Sequence, residues 1–157
     1  MTERFEVKVA SILISRGWRL VTAESCTAGL IASTITDVPG SSAYFDRSYV
    51  TYSNEAKVEM LGVPEEVLRE HGAVSESCAR LMAEGALSTS GVEVALSVTG
   101  IAGPTGGSID KPIGTVFMAV CSSSSTSCCL HEFTGNRSEV KSKTVQAALK
   151  MLLEFLS

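Results

Sequence analysis

The sequence predicts an α/β fold, a three-layer α/β/α sandwich around a mixed, mostly parallel sheet of about five strands. Three observations carry this. Five short apolar or β-branched runs alternate with segments of helical period, the pattern left by crossover connections between parallel strands. The run from Val92 to Thr99 is apolar on both faces, as a central strand must be. The last two runs are joined by the serine-rich stretch Ser122 to Thr126, which reads as the turn of an antiparallel hairpin.

In chain order, Phe5, Val9, Ile12 and Leu13 recur on one face and Gly17 supplies a stop, which predicts a helix over 3–16. Arg19 to Thr22 reads as the first strand. Ala28, Ile31 and Ile35 set a helical spacing after it, ended by Asp37-Val38-Pro39-Gly40,. Ser41 or Ser42 caps a short helical turn through Phe45, and Ser48 to Tyr52 is β-branched and aromatic, the composition of a second strand,. Ser53-Asn54 offers the N-cap of a helix with Lys57 in its first turn,. Pro64, Glu65 and Glu66 open a further helix that closes at His71-Gly72,. Ser75-Glu76 starts another through Ser90, with Leu81, Met82 and Ala86 on its buried side. Beyond Thr99 comes the glycine-rich loop Gly100 to Gly107, then strands over Thr115 to Cys121 and Ser127 to Phe133. Val140, Thr144, Ala148, Met151, Leu152 and Phe155 mark one stripe of a last helix from Asn136,. One domain spanning 1–157 accommodates all of this.

Charge and cysteine usage narrow the partners. The 157 residues carry 13 Lys+Arg against 17 Asp+Glu, a net charge of −4. With no dense basic run, no nucleic-acid partner is expected. The cysteines number five, an odd count without a C-x-x-C pair, which argues for reduced thiols and against a disulfide framework or a zinc site. No metal is expected. No stretch approaches the roughly 20 apolar residues of a membrane span, and the first residues lack the basic and apolar regions of a signal peptide. A cytoplasmic protein without membrane contact is expected; a homo-oligomer stays open.

Two strand-to-helix junctions carry candidate chemistry. Ser25 follows the first strand, where the free N–H groups of a helix start stabilise a developing oxyanion; it reads either as a nucleophile or as an ordinary N-cap. A serine nucleophile needs a base. His71 and His131 lie at a helix end and within the last strand, away from Ser25 in pattern. Lys57 stands at the second junction, where both the helix dipole and burial lower its pKa. A base working near neutrality requires a shift of roughly 3 units, about 4 kcal/mol. Tyr52, at the end of the second strand, could relay a proton between the two. Free N–H groups of Gly100, Gly103 and Gly106, with Gly107, could cradle a phosphate, although the loop is neither G-x-x-x-x-G-K-[ST] nor G-x-G-x-x-G. Thr99 could turn its hydroxyl into the same crevice, and Arg137 could add a guanidinium fork to an anion. Each also has an ordinary use: an exposed helix lysine, a core tyrosine, a solvated arginine. Cys26 is the rival nucleophile, since thiolates are favoured at helix starts.

Taken together, Thr22-Ala23-Glu24-Ser25-Cys26-Thr27, Pro39-Gly40-Ser41-Ser42, Val50 to Lys57, His71-Gly72-Ala73-Val74-Ser75, Thr99 to Pro104, Lys111 to Val116 and Phe133 to Arg137 resemble the CinA C-terminal domain, the nicotinamide-nucleotide amidase family. The resemblance covers nearly the whole chain. It implies deamidation of nicotinamide mononucleotide to nicotinic acid mononucleotide and ammonia, without metal or cofactor. By the same resemblance Ser25 is the nucleophile, Lys57 its base and Tyr52 an assisting hydroxyl, while Thr99 and Arg137 match positions associated with binding a small-molecule nucleotide substrate. Many relatives carry an additional N-terminal domain, so the chain resembles a stand-alone form. Asn136 departs from the family, where Asp is more usual. A non-catalytic pyridine-nucleotide-binding module and an amidase for another small amide are the alternatives.

Overall fold

The computed structural model describes residues 3–157. Its elements are α1 (Phe5–Arg16), β1 (Leu20–Glu24), α2 (Leu30–Thr36), a 3-10 turn at Ser41–Ala43, β2 (Phe45–Val50), α3 (Asn54–Leu61), α4 (Glu65–His71), α5 (Glu76–Ser90), β3 (Val94–Gly100), β4 (Thr115–Ser122), β5 (Thr126–Glu132) and α6 (Arg137–Leu156). The five strands form one sheet in the order β2-β1-β3-β4-β5. β2, β1 and β3 pair in parallel, and β4 runs antiparallel to both β3 and β5. Four strands thus point one way and one against them, the mixed sheet that the sequence predicts.

Alternation along the strands divides the core by side-chain size. Leu20, Val94, Leu96, Val98, Val116, Met118 and Val120 face α1, α2 and α6, where they meet Leu13, Ile31, Ile35, Leu149 and Leu152. The opposite face presents Val21, Ala23, Ala95, Ala119 and Cys121 to Cys78, Ala79, Met82, Ala83 and Ala86 of α5. Small residues on both sides let α5 lie close to the sheet, and Ser97 Oγ donates to Ala79 O at 2.6 Å across that contact. α3 rests on α5 in turn. A Cβ on Gly85 would stand 2.0 Å from Leu61 O, so only glycine lets the last turn of α3 settle there.

Three of the boundaries that differ from expectation bear on the site, each for a local reason. β1 runs to Glu24, two residues past Thr22, because it is hydrogen-bonded on both edges up to that point. β2 begins at Phe45 and stops at Val50, leaving Thr51 and Tyr52 in the turn that follows. Asp46 and Arg47 hid its first half in the sequence; a sheet edge tolerates such charges. α2 begins at Leu30 rather than directly after Ser25, because Ala28 and Gly29 both take positive φ, 49° and 97°. Among the described residues no helix is long and apolar enough to cross a membrane.

Candidate active site

The carboxyl ends of β1, β2 and β3 gather at one edge of the sheet. β2 lies to one side of β1 and β3 to the other, and such a reversal opens a crevice beyond the strand ends. A cleft of about 200 Å³ occupies this place. Ser25 and Cys26 enter it from the end of β1, Tyr52 and Lys57 from the β2–α3 turn and α3, and Ala73 and Val74 from the link between α4 and α5. Thr99, Gly100 and Ala102 come from the end of β3, and Arg137 from the first turn of α6. Wider grooves lie between α3 and α4 and along β5 and α6; the second is lined by Cys129 and His131, but the Cys129 thiol is directed to Met151 Sδ.

Ser25 and Lys57 meet inside this cleft. Ser53 caps α3, its side chain accepting from Ala56 N at 3.0 Å, and Lys57 one residue later turns its stem inward to 1% exposure. Lys57 Nζ stands 3.0 Å from Ser25 Oγ and donates to Thr51 O at 2.7 Å and to Tyr52 O at 3.3 Å. Burial lowers the Lys57 pKa from its ordinary 10.5. A third carbonyl, Ser53 O, lies at 3.5 Å; in the neutral amine the two N–H bonds are directed to the nearer carbonyls and the lone pair remains for the serine hydroxyl. Ser25 is fixed from its own backbone: its N–H donates to Val98 O of β3 at 3.1 Å, and its carbonyl accepts from Ala28 N at 3.2 Å. This arrangement can remove a proton from Ser25 with no intermediary.

Tyr52 does not stand between them. Its side chain is 58% exposed, and its hydroxyl accepts from Arg137 Nη2 at 2.9 Å. The expected relay is therefore replaced by a direct contact, with Tyr52 contributing its backbone carbonyl to Lys57. The cause is the early end of β2, which sends the ring outward to the rim. Arg137 also donates from Nη1 to Gly103 O at 2.7 Å, bridging two walls of the cleft. Asn136 places it there through a capping box with Glu139.

The glycine loop behaves differently from expectation. Gly100 lies in the wall, where a Cβ would meet Val116 Cγ2 at 2.6 Å and Thr115 O at 2.9 Å; its role is close packing of β3 on β4. Gly103 offers Arg137 a carbonyl rather than an N–H. Gly106 and Gly107 leave the cleft and line a separate shallow groove with residues of 104–113. The reason is the stem of the loop, where Ile101 N donates to Thr115 O and Gly114 N to Ile101 O, turning the chain away. Thr99 reaches the cleft, although its hydroxyl donates to Ala73 O at 2.9 Å.

Cys26 lines the cleft as a protonated thiol, since burial pushes its pKa up to about 11. Neither histidine is present in the lining; His131 stacks on Phe133. Among the described residues no group of three or more His, Cys, Asp or Glu gathers as a metal site. Glu24 belongs to the motif Thr22 to Thr27, but its part in the site is not announced by its neighbours in sequence. This carboxylate is fully buried and accepts from Gly29 N, Ile31 N and Ala32 N, the N–H groups expected to face an oxyanion. The available signal was an acidic residue closing an otherwise apolar strand.

Comparison with known proteins agrees with this architecture. The family model described as CinA C-terminal domain matches residues 2–156. A CinA-like protein of Syntrophobacter fumaroxidans is 50% identical over 155 residues, covering 99% of this chain and 37% of that protein. A CinA-like protein of Syntrophus aciditrophicus is 52% identical over 156 residues, with the same coverage. The chain therefore spans little more than a third of the length of these curated relatives. Among solved structures, the competence/damage inducible protein CihA from Agrobacterium tumefaciens is 41% identical with a TM-score of 0.93 and full coverage of both chains. The competence damage-inducible protein A from Klebsiella pneumoniae is also 41% identical, with a TM-score of 0.94 and coverage of 97% and 94%.

Proposed function

Because this chain belongs to the CinA C-terminal domain family, we propose that it is an amidohydrolase that converts nicotinamide mononucleotide to nicotinic acid mononucleotide and ammonia through a serine acyl-enzyme. The observation that carries this reading is the buried contact of 3.0 Å between Lys57 Nζ and Ser25 Oγ, with the Lys57 pKa lowered by burial.

Neutral Lys57 takes the Ser25 hydroxyl proton as Oγ attacks the carboxamide carbon, giving a tetrahedral oxyanion. The backbone N–H groups of Cys26 and Thr27 follow the nucleophile directly in the chain and are its donors in this reading. The α2 start does not serve, since Glu24 occupies it. Collapse of the intermediate breaks the C–N bond, the Lys57 ammonium returns its proton to the leaving nitrogen, and ammonia departs. Water then attacks the ester while Lys57 again accepts a proton, releasing the carboxylate and restoring Ser25. The pyridine ring lies against Ala73, Val74 and Ala102, and the phosphate is met at the rim by Arg137 beside Tyr52.

Ammonia release from nicotinamide mononucleotide, measured in metal-free buffer with chelator for the wild type and Ser25→Ala, tests the reading. Turnover in the first and its near-total loss in the second support it. Absence of turnover in a wild type that binds the nucleotide would replace it with the pyridine-nucleotide-binding module, and turnover of a different small amide would reassign the substrate.

A further inference from the structure

We propose that Glu24 is the positioning residue of this site: by closing the start of α2, its carboxylate holds the turn that carries Ser25 against Lys57. The inference rests on the serine acyl-enzyme reading of the same cleft. Glu24 is 0% exposed and is absent from the cleft lining, so it acts through its neighbours. Its Oε1 accepts from Thr27 Oγ1 at 2.7 Å, Gly29 N at 3.1 Å and Ile31 N at 2.9 Å. Its Oε2 accepts from Ala32 N at 3.0 Å and Ser48 Oγ at 3.2 Å. Thr22 has one hydroxyl proton and stands 2.7 Å from Ser48 Oγ, so it donates there and leaves the Ser48 proton for the carboxylate. Five donors occupy both oxygens, and none of the carboxylate is free to move a proton in the reaction.

These bonds span the turn whose conformation the chain would not choose alone. Ala28 sits at φ 49° and Gly29 at φ 97°, and a positive φ at alanine persists only where its surroundings impose it. Thr27 and Gly29, on either side of Ala28, are tied to one carboxylate oxygen. The other half of the site is coupled to the same residue. Thr51 N donates to Glu24 O at 2.9 Å, and Thr51 O accepts from Lys57 Nζ at 2.7 Å. Glu24 therefore holds the nucleophile through its side chain and an acceptor of the base through its backbone.

Glu24→Gln tests this. The amide keeps the size and one acceptor, but its NH2 faces helix N–H groups that need an acceptor, so the turn loosens while the Arg137 rim is untouched. Two readouts are compared with the wild type: steady-state ammonia release from nicotinamide mononucleotide, and the rate at which a fluorophosphonate labels Ser25, which does not depend on the natural substrate. Displacement of the nucleophile by about 1 Å predicts a loss of about 100-fold in kcat and in labelling rate, with KM nearly unchanged. Leu152→Ala, in the core of α6, is the control for lost stability and should label at the wild-type rate. Wild-type labelling and kcat in Glu24→Gln, or a loss matched by Leu152→Ala, would overturn the proposal. A wild type that labels at Ser25 but leaves the nucleotide intact would refute the substrate reading alone, with Glu24 still judged by labelling. Should Glu24→Gln fail to fold, Thr27→Val removes the shortest donor to the carboxylate, the Thr27 hydroxyl at 2.7 Å from Oε1, and predicts about a fivefold slower labelling; an unchanged rate would overturn the proposal as well.

Discussion

Replacing Lys57 by Met preserves the length of the side chain and removes its titration. Lys57 is buried and its pKa in the folded protein lies below 10.5. Below the folded pKa, both folded and unfolded chains bind this proton, and the wild type bears the full cost of a buried ammonium. Between the folded pKa and 10.5 only the unfolded chain binds it, so the wild type gains about 1.4 kcal/mol of stability per pH unit across that window. Lys57→Met has no such term. It loses the donor to Thr51 O and Tyr52 O, about 1 kcal/mol each, a penalty that does not vary with pH. Urea unfolding of both proteins from about pH 6 to about pH 10 reads the difference as a function of pH. The wild type should gain on the variant as pH rises, and kcat/KM of the wild type should rise through the same midpoint, because the base must be neutral. The variant itself should lose about 10²–10⁴-fold in kcat. A stability difference that stays flat across the range, or a rate that falls as pH rises through that midpoint, would refute the assignment of Lys57 as a buried neutral base.

Other perturbations probe the walls of the cleft. Arg137→Ala should chiefly raise KM for the nucleotide; since Arg137 and Tyr52 share one hydrogen bond of 2.9 Å, adding Tyr52→Phe should cost less than the sum of the two single effects. Cys26→Ala should retain most of the activity, and iodoacetamide should react slowly at neutral pH, because the thiol titrates near 11,. Gly100→Ala should destabilise the protein by roughly 1–3 kcal/mol, with Val116 and Thr115 closest to the new methyl group; thermal unfolding measures it.

The strongest sequence signals were those with local causes. The apolar run of β3 and the caps at Ser53 and Ser75 each depend on neighbours within a few positions, and the structure reproduces them; the α6 stripe holds at Val140, Thr144, Ala148 and Leu152, with Val145, Leu149 and Leu156 buried beside it while Met151 and Phe155 are only half-buried. The two junctions were legible for the same reason, and the sheet then brings Ser25 and Lys57 together. Tyr52 was misplaced because its hydroxyl partner is Arg137, 85 positions away, a distance over which no periodicity reports. The glycine loop failed similarly. Glycine content announces freedom of the backbone, but the bonds from Ile101 and Gly114 decide where that freedom points, and they depend on where β4 begins. Glu24 was visible as a residue but not as a partner, since its donors are mostly backbone N–H groups that any sequence possesses.

The antiparallel hairpin has a consequence for where the molecule can be altered. Because β4 runs against the other strands, the β4–β5 turn falls at the end of the sheet opposite the cleft, while the chain returns through β5 to begin α6 beside it. Ser123, Ser124 and Ser125 of that turn are exposed, and no residue of the turn touches the cleft lining. New chain ends, a fluorescent reporter or an inserted domain can therefore be accommodated there, separated from the reacting groups by the length of a strand.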